Sequence, residues 1–275
     1  MRIIDSQVHI WSAVPAAFAA ANPFEPAAFR YQSLITAMDE AGVDKAILVP
    51  RSFNGANNDY VIEALRAHPD RFAVMGRVPL NESEGKPLLE NWKSEPGMLG
   101  VRLTFHRDGN RPHLTDGSMD WFWPEAERHG IPAMVHAPER LPEIGKLAER
   151  YPGLNFIIDH LGFARATIDA ATGPAADRLI ALARHPNVSV KVSTMPAYST
   201  EPYPYLNLRD PIRRVIDAFG VTRCFWGSDM TRLPENSSYR QSVTMFTEQS
   251  DFLTTDELNE VMGAGLARVL GWPKE

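Results

Sequence analysis

The chain has 275 residues, 44 % of them apolar and 23 % charged, and a net charge of −6. The length matches a single α/β barrel with a sizeable core, while an acidic chain without a run of Lys or Arg argues against nucleic acid or an anionic membrane as partner. Its one cysteine, Cys224, excludes an intrachain disulfide and fits a reducing compartment.

The first strand-length run, Ile3–Ile10, follows an opening Met-Arg-Ile-Ile-Asp that puts charge where a signal peptide needs apolar residues. No apolar run is long enough to span a bilayer, so the expectation is a cytoplasmic protein. The segment Ser12–Gln32 is long for a connection. Its Ala16–Ala21 piece, flanked by Pro15 and Pro23, reads as loop. In a barrel the whole excursion either overhangs the active-site face or is plain surface.

Further strand runs follow at Ala46–Val49, Phe72–Met75, Met98–Leu103, Ile131–Val135, Asn155–Ile158, Val188–Val192 and Cys224–Trp226. Between them lie helical patterns at Ser33–Ala41, Asp59–Ala67, Lys86–Lys93, Met119–Arg128, Leu141–Arg150, Ala175–Arg184 and Asp210–Phe219. Eight strands alternating with helices predict a parallel sheet, because parallel neighbours need a crossover. An open doubly wound sheet wants a glycine-rich first turn, and Gln7-Val8-His9-Ile10-Trp11 offers none. The prediction is therefore an α/β fold, a (β/α)8 TIM barrel. It forms one domain over residues 1–275, with C-terminal helices at Ser238–Gln249 and Asp256–Leu270 that close it.

A barrel strand is buried on both faces, so an ionisable side chain inside it must be paired or used. Here such residues stand at the C-terminal ends of the runs, where the active site of this fold lies. Strand one ends with Gln7 and His9, which share a face. The next three end with Arg51, Arg77 and Arg102, the fifth with His136, the sixth with Asp159 and His160 and the eighth with Asp229; Lys191 interrupts the seventh. Any one of these has a structural explanation, and Arg51 and Arg77 fit one easily. Taken together, His9, His136, His160 and Asp229 must converge on one mouth if the barrel closes. Asp5 and Asp159 read as supporting groups, and His68, His106, His113, His129 and His185 receive no role.

Asp5-Ser6-Gln7-Val8-His9, His136, His160 and Asp229 resemble the amidohydrolase superfamily. Ile158-Asp159-His160-Leu161-Gly162, Val190-Lys191-Val192-Ser193 and Trp226-Gly227-Ser228-Asp229 resemble its amidohydrolase-related (amidohydrolase 2) branch, which holds sugar lactonases, the pyrone-dicarboxylate lactonase and decarboxylases. The resemblance spans nearly the whole chain and specifies no substrate. Two positions depart from the pattern: Gln7 replaces the first His of His-x-His, and strand four offers Arg102 instead of a bridging lysine. An amide is a poor zinc ligand, so at most one divalent ion is expected. It would be zinc by ligand type, on His9, His136 and Asp229 with Gln7 weak or absent. A metal-free site is the other alternative.

The resemblance implies a hydrolase that opens a lactone or related cyclic ester of a small carboxylic acid. Asp229 would be the general base, with His136 and His160 orienting water and polarising the carbonyl. Arg102, Lys191, Arg51 and Arg77 would bind a small anionic, carboxylate-bearing substrate. A homo-oligomer is compatible with this reading. Two other readings stay open. One is a metal-dependent non-oxidative decarboxylase of an aromatic or unsaturated acid, and the other a small-molecule-binding barrel whose catalytic set has decayed.

Overall fold

A computed structural model describes residues 1–21, 26–106 and 109–272; Pro23, one of the two flanking prolines, lies outside the described residues. Eight parallel strands pair in sequence order: β1 Ile4–Val8, β2 Lys45–Leu48, β3 Phe72–Gly76, β4 Met98–Thr104, β5 Ala133–His136, β6 Phe156–Ile158, β7 Val188–Ser193 and β8 Cys224–Gly227. The circle is completed where the Asp229 N–H donates to the Gln7 carbonyl at 2.9 Å. Gly227 sits at that seam, where a Cβ would collide with the Ser6 hydroxyl. The chain is a (β/α)8 barrel.

Strand parity sorts the side chains. Val101 and Leu103 of β4, Val188, Val190 and Val192 of β7, and Ala133 and Val135 of β5 pack outward against the helices. The alternate positions point inward. Near the bottom they are apolar: Ile4, Ile47, Met75, Leu99, Met134, Ile157 and Phe225 form an inner cluster, completed by Leu266, Leu270 and Trp272 at the C-terminus. The C-terminal segment therefore plugs the base, as the sequence predicts. Toward the top the inward positions turn polar. In β1 the register shifts between Asp5 and Val8, so that inward-facing Ile4 is followed by Gln7 and His9 rather than by even-numbered residues.

Two elements differ from the sequence reading. Ala16–Ala21 forms a short helix, α1, instead of a loop: alanine is the best helix former, and Pro15 accepts the Ala19 N–H at 2.9 Å. The helix expected at Lys86–Lys93 runs instead over Glu82–Glu90, because the Asn81 side chain caps the Glu84 N–H at 2.9 Å. Among the described residues no helix is long and apolar enough to cross a membrane.

Candidate active site

The strand ends surround a cavity of about 770 Å³. Its lining includes His9, His136, His160 and Asp229, the four residues expected to converge, together with Arg51, Arg77 and Arg102. Lys191 is not in that lining. It is fully buried beneath the floor, 2.6 Å from Asp159 Oδ1, and its Nζ donates to Gln7 Oε1. Arg102 Nε meets the other Asp159 oxygen at 2.8 Å. Three adjacent inward positions, on β4, on β7 and just past β6, thus form a cation–carboxylate–cation triad. Lys191 lies below the cavity rather than in its lining, where the sequence analysis expects it to bind a substrate carboxylate. Arg102 keeps one free donor: its Nη1 is buried with no hydrogen-bond partner among the described residues.

The Gln7 amide links that triad to the histidines. With its oxygen facing Lys191, its nitrogen lies 3.1 Å from His9 Nε2. His9 Nδ1 donates to the Val49 carbonyl at 2.7 Å, so Nε2 is the unprotonated nitrogen and accepts from Gln7. The same nitrogen stands 3.5 Å from Asp229 Oδ1. On the other side, Thr194 donates its hydroxyl to Asp229 Oδ2 at 3.2 Å and accepts from His160 Nδ1 at 2.8 Å. His160 Nδ1 also lies 2.8 Å from the Ser193 hydroxyl, and His160 Nε2 stands 3.7 Å from Asp229 Oδ2. Asp229 stands between the His9 and His160 rings, and its Oδ1 receives no hydrogen bond among the described residues.

Charge follows burial. His9, His136 and His160 are held well below the usual imidazole range by desolvation, with Arg51, Arg102 and His136 respectively adding to it. All three are neutral near pH 7. Burial pushes Asp229 up to about 6 against the opposing charges of Arg232, Lys191 and Arg102. Lys191 falls to about 8 because burial outweighs Asp159. Burial also works to raise Asp159, but Arg102 and Lys191 prevail and hold it below the ordinary range.

The backbone carrying these groups is bent. His160, Leu161 and Gly162 are successive left-handed residues (φ 52°, 56° and 64°), and Thr194 and Asp229 are left-handed too (φ 65° and 47°). A second network holds Asp229. Asp5, buried, accepts the N–H of Ser228 at 2.9 Å, the Ser228 hydroxyl and the Tyr239 hydroxyl at 2.9 Å. Such strain persists only where surrounding bonds over-determine it.

The sequence analysis gives no role to several polar residues of the lining, among them His106, Arg111, Arg165, Thr194 and Arg232. The His106 ring lies 4.8 Å from that of His136, which lies 5.3 Å from His160. The signal for His106 was available: Arg102, Thr104 and His106 alternate, so all three continue one face of β4. The long excursion does reach the mouth. Phe18 of α1 lines the cavity and, with Trp11 and Phe53, surrounds the Arg51 guanidinium at 5.8, 4.8 and 5.3 Å.

The ligand set expected for a metal, His9, His136 and Asp229, is not gathered as a group. Among the described residues the cluster with metal-ligand spacing is His136, Asp159 and His160, whose donor atoms lie within 4.8 Å of one another. Parity brings Asp159 in where the sequence suggested His9 and Asp229.

Fold and site together define a barrel enzyme with a buried carboxylate and several imidazoles at the strand ends. The chain belongs to the amidohydrolase family, whose sequence profile matches residues 4–272. An L-fucono-1,5-lactonase of Burkholderia ambifaria is 28 % identical over 213 residues, covering 73 % of this chain and 69 % of that one. Two solved structures share the fold. One is an amidohydrolase from Burkholderia multivorans with bound zinc (TM-score 0.81, 21 % identity, 99 % and 100 % coverage). The other is a probable 2-pyrone-4,6-dicarboxylic acid hydrolase from Acinetobacter baumannii with citric acid bound (TM-score 0.77, 22 % identity, 99 % and 100 % coverage).

Proposed function

We propose that this protein hydrolyses a lactone, or a similar cyclic ester, of a small carboxylic acid. The observation that carries the reading is Asp229, a buried carboxylate raised to about 6 and flanked by the Nε2 atoms of His9 and His160 in a cation-lined cavity. Asp229 takes a proton from water as the water oxygen bonds to the lactone carbonyl carbon. The ring C–O bond then breaks, and the departing alkoxide takes that proton back, giving the open hydroxy acid. His160 stands against the carboxylate, His9 is held by Gln7 and Val49 at its other side, and His136 faces the carbonyl. Arg102 Nη1, buried without a partner, is the donor best suited to the oxyanion or to a substrate carboxylate. Arg51 and Arg77 stand further along the lining. Lys191 acts through Gln7 and Asp159, fixing the floor. Relatedness to a lactonase supports the same reading.

The residues do not fit a metal centre as arranged. Both oxygens of Asp159 are in ion pairs with Arg102 and Lys191, so a divalent ion on His136, Asp159 and His160 would sit against two fixed cations. At His9 the lone pair a metal would need is taken by the Gln7 amide. We therefore read the hydrolysis as metal-independent, which also disfavours the decarboxylase alternative. A panel of five- and six-membered lactones tests the activity. Dialysis against a chelator, with elemental analysis of the product, tests the metal. Lactone opening should survive once the ion content has fallen far below one per chain. Activity lost on chelation and restored by zinc would overturn the metal-free reading.

A further inference from the structure

Six arginines, Arg51, Arg77, Arg102, Arg111, Arg165 and Arg232, line the cavity against two carboxylates, Glu139 and Asp229. Five of the six are engaged by the protein. Arg51 lies among aromatic rings, Arg77 donates to the Pro50 carbonyl at 2.7 Å, and Arg102 pairs with Asp159. Arg111 is 3.9 Å from Glu139, and Arg165 also has a partner. Arg232 differs. Its guanidinium makes no ion pair, hydrogen bond or ring contact among the described residues, although it is half-buried in the cavity wall.

Its place is fixed all the same. Arg232 ends the short turn Met230–Arg232 that follows β8, and its backbone N–H donates to the Asp229 carbonyl at 2.7 Å. The turn is anchored in its turn, since the Met230 N–H donates to Ser228 Oγ at 3.0 Å and Ser228 is bonded to Asp5. Arg232 and Asp229 line the same cavity, and of the cations acting on Asp229 Arg232 has the largest influence. An immobile backbone thus presents an unanswered guanidinium beside the carboxylate that activates water.

We propose that Arg232 is the specificity-determining residue of this site, and that it recognises a carboxylate carried by the lactone near the ester being opened. This rests on reading the cavity as a lactone-opening site. A planar guanidinium accepts a carboxylate through two parallel N–H bonds, which fixes orientation as well as charge. Because Arg232 and Asp229 line the same cavity, a small lactone held through its carboxylate at Arg232 has its ester in the space that Asp229 also faces. A neutral lactone lacks that anchor.

The test compares lactones as free carboxylates and as their methyl esters, in wild type, Arg232→Gln and Arg232→Lys. Wild type should prefer the carboxylates, and in Arg232→Gln that preference should fall about 30-fold, mostly through KM, as for loss of a charged hydrogen bond. Arg232→Lys should retain part of it. A binding arm uses the open product class, with 2-hydroxyglutarate as the probe titrated by calorimetry. Its affinity should fall by about the same factor in Arg232→Gln. Equal losses on acid and ester, or unchanged probe binding, would overturn the proposal. If wild type opens no lactone of either charge, the lactonase reading fails, and the binding arm still decides whether Arg232 reads a carboxylate.

Discussion

Asp229→Asn should lower kcat/KM for lactone opening by about 1,000-fold, within the range for removing a general base, and leave the fold in place. The asparagine oxygen can still accept from Thr194, and the isosteric side chain keeps the space between His9 and His160. The pH profile provides a second check on the same group. Asp229 works only when ionised, and burial raises it to about 6, so wild-type kcat/KM should decline as pH falls through about 6. An ordinary exposed aspartate would hold its activity to near pH 4. The residual activity of Asp229→Asn should lack that acid limb. A variant retaining a tenth of wild-type activity, or a wild-type limb near pH 4, would remove Asp229 from the role of base.

The second large effect is expected at Asp159, which touches no cavity space that a base needs. Asp159→Asn leaves Arg102 and Lys191 buried without their shared carboxylate. Breaking a buried ion pair by removing one partner costs about 3–5 kcal/mol, and urea unfolding should register a loss of that order. The pH dependence has a defined sign. Lys191 is lowered to about 8 in the fold, so holding it charged costs stability below that pH, and the cost is relieved as pH rises from about 8 toward its unfolded value. Without Asp159 the relief should begin at lower pH, so the gap between variant and wild type should narrow as the buffer becomes alkaline. A loss below about 1 kcal/mol, the level of an exposed pair, would mean that solvent reaches the triad. Activity should fall as well, because Lys191 holds Gln7, and Gln7 holds His9.

Much of this site can be read in the chain. Short apolar runs bounded by glycine and proline imply strands buried on both faces, and a parallel set of eight implies a barrel. Once that is granted, His9, His136, His160 and Asp229 have to meet, because each ends a different strand at the same rim. His106 was legible by the same rule and was passed over because it stands just beyond the apolar run of β4 rather than inside it. The bulge in β1 was not legible. Nothing in Ile4-Asp5-Ser6-Gln7-Val8 marks where the alternation slips, since a bulge answers to the neighbouring strand.

The sequence by itself determined the architecture, the strand ends and the chemical types gathered there, because periodicity and the cost of burying charge act locally along the chain. Only the tertiary structure decided how those charges are divided. Arg102 and Lys191 look alike in the sequence, yet both turn to Asp159, while Lys191 sinks beneath the floor and Arg102 keeps one donor at its surface. Arg232, in a turn with no strand pattern at all, is the cavity arginine that makes no ion pair or side-chain hydrogen bond among the described residues. Pairing between charges depends on distances across the barrel, between residues far apart in the chain, and the strong short-range dependence of such interactions means that a few ångströms assign each partner.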